Sequence, residues 1–498
     1  MPALSRNHKR WLLLALTACL LLLASVALAR PGGGQSYSGG SRSSGGGGGG
    51  DSGDGAGILV EILLWLCIEH PQIGIPLTIL VLIGLIIRWA IQRGMKAWST
   101  THVDVKAVQK VEQDASSPRR ELEQLRQSDP EFSLVLFEDF VYMLYGAVQR
   151  ARGVGAGWLA AYLEPQLAAS ITQPELADVQ GVVIGALRYE HVDLDEGVEV
   201  ELEIEANYVE LLRSGEQRRY YVVDRFTLSR SASAKSRPFA RAHKLDCPNC
   251  GAPLEALRGT ECSYCRQQVG LGRFDWMLTS LDNQTREPRG PLLTSDVAET
   301  GTELPTIADA AAPAAFQALQ QRDPSLSWQS LTTRMAHVFA ELQTAWSGRE
   351  PLRIRPYVSD NLFQTMYYWI DLYLQSRCRN VTEGARILRI DLATVTSDKH
   401  YDAITVRMFA SSIDYTISDD GKLLSGSRSR QRTYSEYWTW IRGSARKGQS
   451  RGDVSCPNCG APLRIGMAGS CEYCRIKVTA GEFDWVLSRI EQDDSYTG

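Results

Sequence analysis

The sequence predicts an α+β protein with two tandem domains, each followed by a small zinc ribbon, attached to one transmembrane helix. Three observations predict this fold class. The spacing Cys-x2-Cys-x11-Cys-x2-Cys occurs twice. Apolar residues at helical spacing, followed by strand-like alternation, precede the cysteines. An uncharged apolar run covers residues 73–87 near the N-terminus.

The composition is that of a globular protein. The 498 residues are 44% hydrophobic and 22% charged, and at roughly 100–200 residues per domain this length accommodates two or three cores. The net charge of -4 argues against a general nucleic-acid binder. Eleven cysteines are too few for a disulfide scaffold of this length.

The N-terminal segment carries targeting features. Residues 1–29 have a basic head, a short apolar core and an Ala-x-Ala end, which predicts a secretory signal peptide, with an uncleaved first membrane helix as the alternative. Residues 30–57 are dominated by Gly and Ser and are predicted to form a flexible tether.

Residues 58–92 are predicted to contain the membrane span, because the apolar segment 73–91 approaches the ~20 residues that a bilayer requires. Five basic residues lie at or after its end, up to residue 110, whereas two lie between the two apolar segments. Positive residues stay on the cytosolic side. We therefore expect a single-pass protein of a bacterial-type inner membrane, with residues 93–128 as a linker to cytosolic domains.

The chain contains a duplicated unit. Residues 247–254 recur letter for letter as 456–463, and the ranges 247–282 and 456–491 share 18 identities in 36 positions. An Asp-Pro pair, at Asp129 and again at Asp323, opens each unit. In chain order, the predicted ranges are domain 129–232, ribbon 245–283, linker 284–320, domain 321–445 and ribbon 454–492.

Each domain is predicted to place helices before an antiparallel sheet. The Asp of each Asp-Pro pair is expected to cap a helix. A second helix is predicted over residues 360–375, and hairpin turns at 214–215 and 419–422. The segment 198–206 alternates strictly, so we expect its glutamates to lie on a solvated sheet face rather than in a cation site.

These elements resemble a known family. The sequence Asp-Pro-Glu-Phe-Ser at 129–133 and Tyr-Trp-Thr-Trp-Ile-Arg at 437–442 resemble the Tim44-like family, which includes the tether subunit of the mitochondrial inner-membrane import translocase and bacterial membrane-anchored members. The resemblance covers about 129–232 and 323–445. It implies a cone-shaped, nuclear-transport-factor-two-like fold with an apolar pocket, contact with anionic lipid and a scaffolding role. Because this chain has two copies, added cysteine modules and no long charged N-terminal segment, only membrane-proximal scaffolding is carried over.

Two zinc sites are predicted from the cysteine spacing. Two Cys-x2-Cys knuckles can place four thiolates tetrahedrally around Zn²⁺, and four thiolates without an open position indicate a structural site. Disulfides and redox Cys-x-x-C pairs are the alternatives, which a cytosolic location disfavours. Gly251 and Gly460 are expected to bend the knuckles at positive φ. The predicted ligands are Cys247, Cys250, Cys262 and Cys265 for one ion, and Cys456, Cys459, Cys471 and Cys474 for the other.

A basic stretch leads into each ribbon. Attraction of these side chains to an anionic leaflet would be worth ~1 kcal/mol per residue, while a nucleic-acid contact and a solvated linker are alternatives. The candidate lipid or partner contacts are Arg237, Arg241, Lys244, Arg446, Lys447 and Arg451.

Together these features predict a non-enzymatic scaffold that engages protein partners or anionic lipid at the cytosolic face of the membrane. Nucleic-acid binding through the ribbons and an enzyme built in the domain pocket are the alternative functions. No hydrolase, nucleotide-binding or zinc-protease motif occurs in a suitable context in the sequence.

Overall fold

A computed structural model describes residues 117–254, 257–258, 260–270, 272–288, 301–448, 455–493 and 495–498. The predicted signal, tether and transmembrane segments lie outside this part of the chain. Among the described residues, none of the helices has the length and apolarity needed to cross a bilayer. All described residues belong to one compact unit.

The first repeat consists of helices followed by long strands, with the ribbon before its last strand. Its elements are α1 Pro118–Glu123, α2 Leu134–Val154, α3 Pro165–Ser170, β1 Leu176–Asp193, β2 Val198–Leu212, β3 Gln217–Arg230, α4 Phe239–Ala242, β4 Leu257–Arg258, β5 Glu261–Cys262 and β6 Met277–Pro288.

The second repeat has the same order. Its elements are α5 Ala312–Arg322, α6 Trp328–Gly348, α7 Asp360–Gln375, β7 Cys378–Ser397, β8 Tyr401–Ser418, β9 Leu423–Gly443 and β10 Val486–Gln492. The helix predicted over 360–375 is confirmed with the same bounds. The predicted hairpin turns are also confirmed, with Gly215 and Gly421 at φ 87° and 84°.

Each repeat forms one four-stranded antiparallel sheet, with strand orders β1-β2-β3-β6 and β10-β9-β8-β7. The last strand of each sheet follows the ribbon in the chain, so the ribbon is inserted between the third and fourth strands. β6 therefore begins inside the range predicted for the first ribbon, 245–283, and ends inside the predicted linker 284–320, which also contains most of α5.

The long helices α2 and α6 begin in the same way. Ser133 and Ser327 are their N-caps and accept hydrogen bonds from the backbone N–H groups of Leu136 and Ser330. The expectation that Asp129 caps a helix is therefore wrong, and so is that for Asp323, because a serine four residues later takes this position. Both aspartates instead bind a buried arginine, as described below.

The core of each repeat lies between its long helix and its sheet. In α6 the side chains from Leu331 to Trp346 that point inward are almost fully buried, as the helical spacing predicts. The glutamates of β2 depart from the prediction. Glu199 is exposed, but Glu205 is 1% exposed and pairs with Arg188, so this face is solvated only at one end.

The two repeats pack against each other. Arg489 of β10 donates a hydrogen bond of 3.0 Å to Glu138 of α2, and Tyr189 donates one of 3.1 Å to the same carboxylate. Burial alone would raise the pKa of Glu138, but Arg489 and Arg119 outweigh burial and hold it below the ordinary value. The repeats thus share a buried ionic contact.

Candidate metal centres

Each ribbon brings its four predicted cysteines together. In both groups the four Sγ atoms lie within 4.8 Å of one another. The Sγ–Sγ distances are 3.9 Å for Cys247–Cys265 and 3.8 Å for Cys250–Cys262. Four sulfurs placed tetrahedrally at ~2.3 Å from a zinc ion would be about 3.8 Å apart, so the first cluster has the dimensions of a tetrathiolate site.

The second cluster has the same dimensions. Its Sγ–Sγ distances are 3.8 Å for Cys456–Cys474 and 4.0 Å for Cys459–Cys471. These separations are about twice the ~2.05 Å of a disulfide bond, and all nine cysteines in the described part of the chain are free thiols. The clusters can hold metal ions such as zinc.

All four knuckles share one turn. In the first knuckle of ribbon one, Cys247 donates its N–H to the carbonyl of Ala252 and accepts the N–H of Gly251. The residue after the second cysteine of each knuckle has positive φ, which confirms the prediction for Gly251 and Gly460 at 78° and 73°. This tight turn aims both thiols of a knuckle at one point.

An asparagine supports one thiolate in each cluster. The Asn458 side chain donates a hydrogen bond of 3.5 Å to the Sγ of Cys474 and lowers the pKa of this thiol to about 6. Asn249 does the same for Cys265, whose pKa also falls to about 6. Because the thiolate is the form that binds metal, each cluster has a ligand ionised at neutral pH.

A buried cluster ties each ribbon to its sheet. At the end of β3, Arg230 pairs with Asp129 at 3.2 Å and lies over the ring of Trp276, 4.8 Å from its centroid. At the end of β9, Arg442 repeats the arrangement. It lies 3.0 Å from Asp323 and 4.6 Å from the ring centroid of Trp485.

The predicted basic contacts occupy different environments. Arg237 is buried and pairs with Asp275 and Asp246, and Arg241 donates to the backbone carbonyl of Cys247 at 2.7 Å. These two arginines therefore hold the first ribbon in place. Arg446 donates to the carbonyl of Phe483.

The remaining predicted contacts are the lysines and Arg451. Lys244 and Lys447 are exposed, whereas Arg451 lies outside the described residues.

The structure also shows an exposed basic patch that the sequence analysis missed. It lies on β7 and β9 of the second sheet, and we call it the basic face: Arg379, Arg386, Arg389, Arg428 and Arg430. The run Ser-Arg-Ser-Arg-Gln-Arg at 427–432 was the sequence signal that could have indicated it. Residues 427–430 have no partner in the β8–β9 register, so the run forms a bulge.

A cleft of about 400 Å³ lies between the repeats and ribbon two. Asp139 of α2 lies in it, 3.5 Å from His243. Burial and the nearby carboxylate of Asp360 raise the pKa of Asp139 to about 7. A pocket of about 40 Å³ in the first repeat is smaller, and its lining includes Phe132, Phe137, Phe140 and Trp276.

Comparison with known proteins supports one of the two resemblances. A search of curated proteins found no match. Residues 312–450, from the start of α5 to the segment after β9, match the family model of the Tim44-like domain, and they include the second predicted range, 323–445.

Proposed function

We propose that this protein is a membrane-anchored scaffold at the cytosolic face of an inner membrane, where it binds anionic lipid and protein partners without catalysing a reaction. The Tim44-like match over 312–450 supports membrane and protein association in general terms. The matching order of elements in the first repeat supports a similar, cone-shaped domain there. The apolar segment 73–91 supplies the anchor.

The basic face carries the lipid part of this proposal. Arg428 lies over the ring of Tyr415, 5.4 Å from its centroid, and Arg386 donates to Ser411 on the same side of the sheet. The five exposed arginines are accompanied on β7 by Glu383 and by Asp391, which pairs with Arg389 at 3.0 Å. The exposed acids Asp419 and Asp420 lie in the adjoining turn, and the whole chain carries a net charge of -4. Each such charge near an anionic leaflet contributes about 1 kcal/mol.

Hydrogen exchange on the full-length chain in lipid nanodiscs tests this function. Replacing neutral phosphatidylcholine by a mixture with phosphatidylglycerol should slow amide exchange in residues 378–390 and 423–434. Arg428→Glu combined with Arg430→Glu should abolish this protection, and added salt should weaken it.

A charge-matched control uses the first repeat. Arg218→Glu with Arg273→Glu makes the same charge change at exposed positions and should leave the protection intact. Equal exchange in neutral and anionic nanodiscs would contradict lipid binding by the basic face.

We also propose that both metal ions are structural Zn²⁺. The donor set of four thiolates favours zinc over magnesium or calcium, which prefer oxygen ligands. Metal analysis of the purified full-length chain should give two zinc ions per chain. Iron with the absorption of a thiolate-bound centre would contradict this assignment.

A second candidate function, a pocket enzyme, rests on the cleft between the repeats. A carboxyl group that titrates near neutral pH beside a histidine can transfer protons, and Asp139 with His243 has these properties. A thermal-shift screen with small organic amines and carboxylic acids tests it. Ligands that stabilise the full chain but not its Asp139→Asn variant would support an enzyme, and their absence would remove this candidate.

A further inference from the structure

The two ribbons can be compared position by position, because 247–282 and 456–491 align without a gap. Most of the residues that they share have a role inside the fold. The cysteines form the clusters, Trp276 and Trp485 lie under arginines, and Leu278 and Leu487 are fully buried. A residue that is identical in both ribbons but has no such role is a candidate for binding another molecule.

One shared residue is prominently exposed. Tyr264 is 74% exposed and Tyr473 is 53% exposed, each between the third and fourth cysteines of its cluster. A tyrosine in solvent contributes little to folding, since its ring gains stability mainly by burial. Both copies nevertheless have this aromatic side chain at the same place beside the metal centre.

A second shared residue is strained. Arg266 and Arg475, directly after the fourth cysteine, have φ of 56° and 64°. The first knuckle has glycine, Gly251 or Gly460, at this turn position. A residue with a Cβ atom costs roughly 1 kcal/mol in this conformation, and both copies have arginine here although glycine would avoid this cost.

We propose that the two Tyr-Cys-Arg segments, 264–266 and 473–475, are duplicated docking tips that bind acidic segments of a protein partner. Arginine binds carboxylates through a planar pair of N–H donors. Tyrosine and arginine are also the residue types that dominate binding energy at protein interfaces. Two equal tips on one body gain affinity by avidity when the partner offers two sites.

The tips favour a protein carboxylate over nucleic acid as the ligand. The acids Asp246 and Asp275 of the first ribbon already pair with Arg237 and Arg241, so they do not compete for the tip arginine. Each tip presents one arginine, which can pair with a carboxylate, whereas a phosphate backbone requires several cationic contacts. This inference rests on the proposed scaffold function but uses a surface separate from the basic face.

Site-specific photo-crosslinking tests the proposal. The photoreactive residue p-benzoylphenylalanine replaces Tyr264 or Tyr473 in the full-length chain, in the membrane of the cells that produce it. Both positions should form an adduct with the same protein, and mass spectrometry should map the adduct to a segment rich in Asp and Glu. The same probe at Leu352, which is 53% exposed and lies in the second domain, provides the background.

Glycine variants separate docking from folding. Arg266→Gly with Arg475→Gly relieves the positive φ, so the chain should be as stable as the wild type or more stable, yet adduct formation should fall roughly tenfold with the loss of two interfacial arginines. Arg266→Lys with Arg475→Lys keeps the charge and should retain part of the yield.

Several results would overturn the docking tips. Adducts with nucleic acid or lipid, yields no higher than at Leu352, or glycine variants with undiminished yield would each do so. The nanodisc experiment is independent of these outcomes. If anionic lipid gives the basic face no protection while both tips crosslink to one acidic segment, lipid binding by the basic face is contradicted and the docking-tip proposal is supported.

Discussion

In the first repeat, glutamates lie on the face of β2 that points away from the core. One of them, Glu203, pairs with Arg188 at 2.7 Å. In the second repeat the outward face of the sheet carries the basic face instead. The interiors, in contrast, have the same Asp–Arg–Trp cluster and the same cysteine cluster. Duplication has thus kept the contacts that hold ribbon and sheet together, while the outward faces of the two sheets differ: glutamates paired with arginines lie on the first, and exposed arginines lie on the second.

Removing a metal cluster should have the largest effect and should show whether both clusters are equally necessary. Cys247→Ser with Cys250→Ser, or Cys456→Ser with Cys459→Ser, should lower the metal content from two ions to one. Structural zinc sites bind with roughly 10–16 kcal/mol, which is coupled to folding, so the affected ribbon should become sensitive to protease. Elemental analysis and limited proteolysis measure both effects.

Cys378→Ser is the matched control for this experiment. Cys378 is 1% exposed but lies outside both clusters, so this variant should keep two ions. A wild-type chain without bound metal would contradict the prediction.

Breaking the buried arginine pair of each repeat should have the next largest effect. Arg230→Met or Arg442→Met leaves Asp129 or Asp323 as an unpaired buried charge, which costs about 3–5 kcal/mol. Urea unfolding of the two variants should show similar losses if the clusters are equivalent. Arg218→Ala, which breaks an exposed pair with Glu216, should leave the unfolding midpoint unchanged.

The contact between the repeats should respond to pH. The pKa of Asp139 is raised to about 7 in the folded protein, so the folded state binds this proton more tightly than the unfolded state. The corresponding stability is fully present below pH 4 and is lost as the pH rises through 7. Asp139→Asn should therefore stabilise the chain by about 2 kcal/mol at pH 8, after allowance for partial solvent exposure, and not at pH 4.

The second repeat provides the control for this pH effect. Thr333 of α6 has the position that Asp139 has in α2, and Thr333→Ala should change the unfolding free energy equally at both pH values. An Asp139→Asn variant with the wild-type pH profile would be evidence against the raised pKa.

A smaller difference is expected at the knuckle glycines. A Cβ atom at Gly251 would lie 2.9 Å from Nε of Arg241, whereas nothing lies within 4 Å at Gly460. Alanine at either position should lower the free energy of unfolding by roughly 1 kcal/mol because of the positive φ. The Gly251→Ala variant must also displace Arg241. Competition with a zinc chelator should release metal from the Gly251→Ala variant at a lower chelator concentration than from Gly460→Ala.

Sequence reasoning succeeded where the signal is local. The helix at 360–375 and the turn at Gly421 follow from apolar periodicity and from backbone preferences that neighbouring residues determine. The cysteine clusters follow from spacing, because a knuckle of four residues fixes the relative position of its two thiols.

Long-range contacts were not predictable in this way. Arg237 has the pattern of a surface residue, but it is buried by Tyr162, which is 75 positions away, and by Asp275, which follows the last cysteine of the ribbon. The segment after each ribbon was assigned to the ribbon, since only the folded sheet shows that β3 pairs with β6. The basic face likewise depends on the pairing of β7, β8 and β9.

The insertion of each ribbon between the third and fourth strands affects the order in which the chain can be completed during synthesis. About 45 residues emerge from the ribosome between Arg230 and Met277, and the edge strand can join its neighbour only after them. If the thiolates bind their ion while the nascent chain is still growing, the folded ribbon reduces the length of flexible chain between the third and fourth strands. The entropic cost of bringing these two strands together is then lower. Scarcity of the metal would then leave both sheets with an open edge, a known starting point for aggregation.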